Sequence, residues 1–421
     1  MPTALQHYHV AAYFPEWEVR RPYYVRHIDA AGLAEKITLI NYAFGRPGPD
    51  PVTGEVVGQM LDPLAAYGQV YTPEMSVAGA ADDPAQPLRG HFNQLRQLKA
   101  KYPHLKVVIS LGGWTESGWF SDAARTPATR RRFVESCIDL FIHGNLPPLN
   151  GAGGLQAGAG VFDGIDIDWE YPLADGLPEN HYHPDDNLNF VLLLEEFRRQ
   201  FQAIGRPELL LTAAVPGPDQ AGYFNMTEAH PYLDLVALMT YDLWGSWKPI
   251  SGHHTSLYNS ARDPRPEPER ISADATIRLY RDRYGVPAEK ILIGAAFYGR
   301  GWQDVGRAGD GLYQPGQTYS TVGSNYFDLK ARLEQGYQRH WDEQALAPWL
   351  YSPSERVFWS YDDPRSVALK AQYVKHHGLG GVMFWEISGD DAEASLLNAI
   401  YDGLQPEAPS EDPRPERQAQ G

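Results

Sequence analysis

The sequence predicts an α/β protein, a (β/α)8 TIM barrel with a small α+β insertion between the seventh and eighth strands. Eight short apolar segments have the composition of buried strands, and segments with helical spacing of apolar residues alternate with them. Polar motifs occur at the C-terminal ends of these strands. Parallel strands need long crossovers, and a barrel of eight strands places its active site at the C-terminal strand ends. The positions of the motifs therefore support the barrel independently of the strand count.

The predicted elements follow one another at the spacing of βα units. In chain order, the predicted strands lie within residues 8–14, 37–44, 106–113, 162–172, 209–215, 235–241, 290–298 and 380–387. Helical spacing predicts helices over residues 92–101, 129–143, 187–203, 273–284 and 366–376. Residues 45–90 are polar and rich in Gly, Pro and Ala, so we expect a surface excursion that forms a functional loop or a cleft wall.

One interval is too long for a βα loop. About sixty residues separate the seventh strand from the last predicted helix, and structureless loops of that length are uncommon in compact domains. We therefore predict a small α+β module over residues 301–356, inserted into a barrel formed by residues 1–300 and 357–405. The tail, residues 406–421, is rich in Pro, Glu and Arg and is expected to be disordered.

Composition and charge limit the classes of partner. The formal net charge is −17 and no basic patch is evident, so a nucleic-acid partner is not expected. The 11 Trp and 25 Tyr residues exceed what a core alone requires, and aromatic faces can stack on sugar rings. Cys137, the single cysteine, has an apolar helical setting and is expected to be a buried thiol. The charge suits an uncharged substrate, and we expect a monomer.

The sequence contains no membrane signal. No apolar run approaches the ~18–20 residues needed for a membrane span, so no membrane partner is expected. A strand-like run begins by His9, which leaves no room for a secretory signal in the sequence as written. We therefore expect a cytoplasmic protein, or a secreted one if a signal has been removed.

The stretch at residues 162–172 carries the strongest chemical signal. With the period of two that a strand imposes, Asp166, Asp168 and Glu170 share one face, and the apolar residues between them share the other. Successive carboxyl groups would lie roughly 6–7 Å apart along the strand. Like charges that close raise one another's pKa, so at least one carboxyl is expected to keep its proton near neutral pH. A retained proton is what acid catalysis of glycosidic cleavage requires.

Two other interpretations of this acidic column remain open on residue types alone. Alternating acids most often form the solvated face of a strand, and three carboxylates also suit a divalent cation. The apolar flanks favour an enclosed position over a solvated face. Asp163 has the opposite parity in the strand, so we interpret it as structural.

The same stretch resembles the D-G-x-D-x-D-W-E signature of glycoside hydrolase family 18, the chitinase family, and the match continues for two more residues. Residues 110–113, Ser-Leu-Gly-Gly, resemble the second motif of the family, S-x-G-G. The resemblance extends over residues 8–404 and includes the insertion, which bacterial-type chitinases carry at this place. It implies that Glu170 is the proton donor, that Asp168 orients the substrate acetamide, and that Asp166 is the buried partner of Asp168.

The resemblance also implies a set of substrate-binding residues. Tyr241 would donate a hydrogen bond to the acetamide oxygen, and Met239 and Asp242 would complete that pocket. Trp385 would form the apolar floor beneath the distorted sugar. Tyr298 and Arg300 are expected on neighbouring sugars. The remaining candidates are cleft aromatics that packing would explain nearly as well: Tyr13, Phe44, Trp114 and Trp244.

The implied activity is that of a retaining chitinase, which cleaves β-1,4 linkages between N-acetylglucosamine units of chitin or chito-oligosaccharides with the help of the substrate's own acetamide. No metal or other cofactor is implied. One alternative is a chitin-binding lectin without activity, although such relatives usually lose the acid that is present here as Glu170. Another is an endo-β-N-acetylglucosaminidase that acts on N-glycans. The insertion and Trp385 favour chitin over N-glycans.

Overall fold

A computed structural model describes residues 7–319 and 321–406 of the chain. The predicted disordered tail beyond residue 406 lies outside the described residues. The strands of the described part are β1 (His9–Pro15), β2 (Leu39–Pro49), β3 (Val56–Met60), β4 (Lys106–Gly112), β5 (Leu146–Leu149), β6 (Ala152–Gly154), β7 (Gly164–Asp168), β8 (Leu210–Val215), β9 (Leu235–Leu238), β10 (Ile291–Ala296), β11 (Gly299–Gln303), β12 (Gln317–Thr318), β13 (Gln338–Asp342), β14 (Ala347–Ser352), β15 (Val357–Tyr361) and β16 (Gly381–Trp385).

The α-helices of the same residues alternate with these strands. They are α1 (Val25–Ala30), α2 (Gly90–Lys101), α3 (Phe120–Ala124), α4 (Pro127–Cys137), α5 (Asp186–Ala203), α6 (Pro218–Ala221), α7 (Met226–Ala229), α8 (Ala273–Arg278), α9 (Tyr326–Arg332), α10 (Pro364–His377) and α11 (Ser395–Leu404). Short turns of other helix types extend several of them, such as Ile138–Ile142 after α4. Within the described ranges, no helix combines the length and the apolar character needed to cross a bilayer.

Eight strands form a closed parallel barrel. Their order is β1-β2-β4-β7-β8-β9-β10-β16, and β16 pairs with β1 to close the ring. Every neighbouring pair is parallel, so all the C-terminal ends meet at one rim. The predicted (β/α)8 barrel is confirmed, with its eight strands in the predicted order. The sixth barrel strand, β9, is shorter than predicted and ends at Leu238.

The two faces of the barrel strands pack differently. On β1, Val10, Ala12 and Phe14 point outward into the apolar layer beneath the helices. Ala11 and Tyr13 alternate with them and point into the barrel, where small and aliphatic side chains from the other strands meet them. This alternation is the period of two that a strand imposes. Because the outer layer is apolar, polar side chains of the strands are directed to the interior and the rim.

Local sequence signals set the ends of the helices that cover the barrel. Helix α4 begins after Thr126, whose side chain accepts a hydrogen bond from the Thr129 N–H group. Helix α10 begins in the same way after Asp363, which accepts from the Ser366 N–H group. Gly378 ends α10 with a φ of 63°, a left-handed conformation that glycine adopts without a Cβ clash.

Residues 45–90 contain a hairpin that their composition did not reveal. Strand β2 continues past the barrel to Pro49 and pairs antiparallel with β3. The Asp50 side chain closes the turn, because it accepts hydrogen bonds from the N–H groups of Val52 and Thr53. The Pro and Gly content of the segment hid this extension, since both residues usually end strands.

A second sheet, antiparallel and five-stranded, follows β10 in the order β12-β11-β15-β14-β13. Gly299 on β11 lies opposite Tyr361 on β15, so the chain leaves and re-enters the barrel region through one strand pair. The sheet therefore begins before and ends after the predicted module, residues 301–356. Its own core contains the buried rings of Trp302, Trp349 and Phe358.

Candidate active site

Three carboxyl groups lie along the C-terminal end of β7. Asp166 and Asp168 belong to the strand, and Glu170 lies two residues beyond its last residue. Ile165 and Ile167 point outward into the apolar layer, so the acids face the barrel interior, as the alternation predicts. Asp166 is fully buried and Asp168 is 5% exposed, whereas Glu170 is partly open to solvent. The acidic column therefore runs from the interior to the open rim.

Asp166 is held by three hydroxyl groups from three different strands. Tyr13 and Ser110 donate to Oδ2 at 2.9 and 2.7 Å, and Thr212 donates to Oδ1 at 2.6 Å. Burial raises the pKa of Asp166, and the three donors partly offset that rise. Tyr13, predicted as a cleft aromatic, is only 1% exposed and uses its hydroxyl to anchor this carboxyl group.

Asp168 has an acceptor atom that is not satisfied. Its Oδ1 atom is buried and has no hydrogen-bond partner among the described residues. Burial, followed by the charges of Glu170 and Asp166, raises the pKa of Asp168 well above its usual range. A buried acceptor without a partner is unfavourable, so a bound ligand that offers a donor here would be stabilised.

Glu170 combines a raised pKa with a fixed backbone. Burial raises the pKa of Glu170 to about 7; the charge of Asp242 adds to the rise and a hydrogen bond with Tyr171 opposes it. The Glu170 N–H group donates to Ser117 Oγ at 2.9 Å, and its carbonyl oxygen accepts from Asn180 Nδ2 at 2.9 Å. The sequence did not single out Ser117 or Asn180. The only signal was that Ser117 follows the S-x-G-G motif closely.

Tyr241 and Asp242 follow β9 at the same rim. Burial raises the pKa of Tyr241 well above its usual range, and the nearby Tyr298 and Asp168 raise it further. The hydroxyl therefore stays protonated and can donate. Its partner is Met383 Sδ at 3.4 Å, a weak acceptor that a ligand oxygen could replace. Asp242 has a φ of 55°, a left-handed conformation that Asp tolerates better than most residues.

Asp242 is paired with a cation on β11, a strand of the second sheet. Arg300 donates to both carboxylate oxygens, from Nε at 2.6 Å and from Nη2. His254 Nδ1 lies 3.6 Å from Asp242 Oδ1. Burial favours a higher pKa for Asp242, but Arg300 and His254 outweigh it and hold that pKa well below the usual range. The guanidinium group also lies 5.2 Å from the centre of the Tyr298 ring.

Aromatic rings surround the acidic column. Trp385, at the end of β16, is half-buried and packs against Tyr13 and Trp17, with ring centres 5.4 and 6.2 Å away. Phe44 is only 5% exposed, so packing accounts for most of its surface. Trp114 is 47% exposed and keeps a face available for a ligand.

Two tryptophans in one loop have different surroundings. Trp244, a predicted sugar contact, donates from Nε1 to the Ile250 carbonyl at 2.7 Å and stacks with the Arg265 guanidinium at 4.4 Å. It packs against the core of the second sheet. Trp247, which no sequence motif singled out, is 58% exposed and lies 5.6 Å from the Arg300 guanidinium. Exposure therefore favours Trp247 over Trp244 as the ring that could stack on a sugar.

An open cavity of about 600 Å³ extends the rim beyond Trp385. Its lining residues are Glu16, Trp17, Arg20, Leu61 and Asp62. Trp17 joins this cavity to the aromatic cluster, because its ring packs on that of Trp385. Leu61 and Asp62 belong to the excursion predicted over residues 45–90, but none of the five lining residues was named individually from the sequence.

The structure places the predicted acids and their partners at one rim. Mutual electrostatic effects connect Asp166, Asp168, Glu170, Tyr241 and Asp242. Met239, predicted beside them, is half-buried against the barrel interior. In the part of the chain that the structure describes, no group of three or more His, Cys, Asp or Glu residues could hold a metal ion. The rim therefore offers a carboxyl group of raised pKa, a buried acceptor without a partner among the described residues, and a phenol donor.

Comparison with known proteins identifies one family. The model for glycosyl hydrolases family 18 matches residues 9–390. The chain is 36% identical to chitinase A1 of Niallia circulans over 430 residues, which cover 92% of the chain and 57% of that relative. It therefore spans less than two thirds of the relative's length.

Solved structures agree with this match. The catalytic domain of psychrophilic chitinase B from Arthrobacter TAD20 superposes with a TM-score of 0.85 at 37% identity, covering 96% of each chain. A family 18 N-acetylglucosaminidase from Paenibacillus barengoltzii superposes with a TM-score of 0.70 at 34% identity, covering 94% of this chain and 99% of that one.

Proposed function

Because the chain belongs to glycosyl hydrolases family 18, we propose that it is a retaining chitinase that hydrolyses β-1,4 linkages between N-acetylglucosamine units. The family match confirms the resemblance seen in the D-G-x-D-x-D-W-E stretch. Two of the similar proteins named above are chitinases, and the structural match to the Arthrobacter catalytic domain covers almost all of both chains. The chemistry of the rim supports the same activity in this chain.

One observation carries the proposal: the buried Oδ1 atom of Asp168, in the column between Asp166 and Glu170, has no hydrogen-bond partner in the part of the chain that the structure describes. An N-acetyl group offers the N–H donor that this atom lacks. A sugar without the acetamide would leave Asp168 unsatisfied, at a cost of about 1–3 kcal/mol. The site is therefore suited to a 2-acetamido sugar on the side of the scissile bond that Asp168 faces.

The proposed reaction uses the acetamide in place of a protein nucleophile. Glu170 gives its proton to the glycosidic oxygen while the acetamide carbonyl oxygen bonds to the anomeric carbon, and the bond from that carbon to the leaving oxygen breaks. The product of this step is an oxazolinium ion. Glu170, now a carboxylate, takes a proton from water as the water oxygen attacks the same carbon, and the bond from that carbon to the acetamide oxygen breaks, which restores the acetamide. Two displacements at one carbon return the β configuration.

The neighbours of Glu170 would stabilise the charge that develops. Asp168 accepts the acetamide N–H and offsets the positive charge of the oxazolinium ion, while Tyr241 donates to the acetamide oxygen and orients it for attack. Asp242 would complete this pocket and is held ionised by Arg300. Trp385 would supply the apolar face beneath the sugar, since its ring is half-open at the rim.

Hydrolysis of a chitin hexamer tests the proposal. Proton NMR of the first reducing ends should show the β anomer before mutarotation, with dimers and larger oligomers among the products. An initial α anomer would mean inversion and would remove the acetamide from the mechanism. Binding of the hexamer without any hydrolysis would indicate a lectin. Release of high-mannose glycan from a glycoprotein, with no action on the hexamer, would indicate an endo-β-N-acetylglucosaminidase.

A further inference from the structure

Glu170 lies where strand pairing can no longer hold it. The last ladder pair of β7 joins Asp168 to Gly112 on β4, so the backbone of Glu170 has no partner in the sheet. A general acid must nevertheless deliver its proton within hydrogen-bond reach of the leaving oxygen. Something other than the sheet therefore has to fix this residue.

The loop after β4 supplies one half of that support. Gly113 N–H donates to the Asp168 carbonyl at 2.7 Å. The Ser117 hydroxyl lies within bonding distance of the Gly113 carbonyl, at 2.8 Å, and of the Asp168 carbonyl, at 3.1 Å. The same oxygen accepts the Glu170 N–H at 2.9 Å. Ser117 thus ties the end of β7 and the residue that carries the acid to one hydroxyl group.

The loop that follows the acid supplies the other half. Asn180 is 8% exposed, and its Nδ2 atom donates to the Glu170 carbonyl at 2.9 Å. The next residue, His181, donates from its N–H group to the Gly118 carbonyl at 3.0 Å. This backbone bond joins the Asn180 loop to the Ser117 loop. Both polar groups of the Glu170 backbone are therefore bonded by two loops that also bond to each other.

The fit around this contact is tight. A Cβ atom placed on Gly176 would lie 2.3 Å from Asn180 Nδ2 and 2.4 Å from the Glu170 carbonyl oxygen. The chain therefore passes so closely over this hydrogen bond that only glycine fits without a shift. A contact of this kind restricts the rotation of the peptide that follows Glu170.

We propose that Ser117 and Asn180 are positioning residues that hold the backbone of Glu170 from both sides and so set the place of its carboxyl group. They act through Glu170 and do not contact substrate. The inference rests on the proposed function for the role of Glu170 as the acid. A displacement of about 1 Å can lower a catalysed rate about 10²-fold, so loss of either residue should lower kcat much more than it changes KM.

Two matched pairs of variants test the proposal. Ser117→Ala and Asn180→Ala remove the bonds to Glu170. Ser121→Ala and Asn189→Ala remove equally buried groups of the same types, whose bonds go to Asp186 at 3.0 and 3.3 Å. Hydrolysis of chitin hexamer should lose about 10²-fold in kcat in the first pair and little in the second. Equal losses in kcat in the two pairs would overturn the proposal.

A second readout separates positioning from general loss of stability. The titratable groups that interact with the Glu170 carboxyl are Asp168, Asp242, Tyr171 and Tyr241, and none is changed in these variants. If Glu170 is released, water reaches its carboxyl group and the alkaline limb of kcat/KM moves to lower pH. Ser117→Thr keeps the hydroxyl, so it should restore both kcat and the pH at which kcat/KM begins to fall. An alkaline limb that stays in place in Ser117→Ala would contradict the proposal.

One further variant tests the proposal if the alanine substitutions prevent folding. If the alanine variants do not fold, Asn180→Asp preserves the shape but replaces the donor with an oxygen that repels the Glu170 carbonyl. It should show the same loss in kcat, and normal turnover would overturn the proposal.

If the parent protein does not hydrolyse the hexamer, the proposed function is wrong. The positioning role of Ser117 and Asn180 can still be tested without activity. Carbon-13 NMR of the Glu170 carboxyl, assigned with Glu170→Gln, should then show a lower titration midpoint in Ser117→Ala. An unchanged midpoint would overturn the positioning role.

Discussion

The indole ring of Trp385 stacks on the phenyl ring of Phe44, with ring centres 5.8 Å apart and planes 14° apart. Phe44 is almost fully buried, whereas Trp385 remains half-open at the rim. The stack therefore fixes one face of the tryptophan, while part of the ring stays open to solvent at the rim. A rigid aromatic face of this kind adds contact area with little loss of side-chain entropy on binding.

Replacing Trp385 with alanine should reduce activity more than stability. The half-open ring loses less packing than a fully buried one, for which Trp→Ala costs about 3–5 kcal/mol. We expect a large fall in kcat/KM on chitin hexamer and a modest fall in Tm. Trp302→Ala is the matched control, because that ring is fully buried in the second sheet. It should show the opposite pattern, and similar behaviour of the two variants would assign Trp385 to packing alone.

The pH dependence of kcat/KM should report the titration of Glu170. Burial raises its pKa from the ordinary 4.5 to about 7, and the acid must be protonated to act. The rate should therefore be retained below about pH 7 and fall about tenfold per pH unit above it. A profile measured with a chromogenic chitobioside from pH 4 to 9 checks this. An alkaline limb near pH 5 would mean that the buried carboxyl does not supply the proton.

Glu170→Gln should abolish turnover and spare binding. Glutamine keeps the size of the side chain but has no proton to deliver, and loss of a general acid typically costs ~10²–10⁴-fold in rate. Because the folded-state pKa is raised from 4.5 to about 7, the folded state loses stability as pH rises from about 4.5 to about 7, and glutamine avoids this loss. At pH 8 the Tm of the variant should therefore equal or exceed that of the parent, and oligomer binding should persist by calorimetry. Residual turnover within tenfold of the parent would exclude Glu170 as the acid.

Arg300→Met should move the alkaline limb of kcat/KM to higher pH. Without the guanidinium group, Asp242 loses the cation that balances its charge. The pKa of Asp242 then rises, and the less compensated negative charge also raises the pKa of Glu170. Arg198→Met is a suitable control, since Arg198 binds Asp234 just before β9 begins, at the opposite end of the barrel. The coupling would be contradicted if the alkaline limb of kcat/KM moved to lower pH in Arg300→Met. It would also be contradicted if the limb moved equally in Arg300→Met and Arg198→Met.

Lys370→Met should be strongly destabilising. Lys370 and Asp362 are each 1% exposed, and Lys370 Nζ lies 2.6 Å from Asp362 Oδ2. Removing one partner of a buried ion pair leaves the other charge uncompensated, at a cost of roughly 3–5 kcal/mol. Urea unfolding measures this loss. Adding Asp362→Leu to Lys370→Met should recover part of it, and a double variant less stable than the single one would show that the other bonds of Asp362 matter more.

The sequence alone predicted the features that depend on the alternation of residues along a strand and on the order of the strands in the chain. Alternation along β7 placed Asp166 and Asp168 on the interior face, and eight apolar segments in the right order predicted the barrel. Asp163, of opposite parity, binds Lys99 outside the column, in line with its structural interpretation. These predictions succeeded because each requires only the geometry of a strand and the handedness of its connections.

Other features depend on where loops meet, and the sequence does not encode that locally. Trp244 and Trp247 are three residues apart with similar neighbours, yet only the fold decides which ring is exposed. Ser117 and Asn180 lie in separate loops and become partners of Glu170 only after the chain has folded. Tyr13 looked like a cleft aromatic because its hydroxyl partner, Asp166, is 153 residues away.

The three donors to Asp166 link the acidic column to assembly of distant barrel strands. Tyr13, Ser110 and Thr212 belong to β1, β4 and β8, so no half of the barrel contains all of them. A nascent chain that ends before β8, or a fragment that lacks β1, would have an acidic column that lacks one of its three donors. Activity should therefore appear during refolding no earlier than the kinetic phase in which β1, β4 and β8 have all assembled around Asp166.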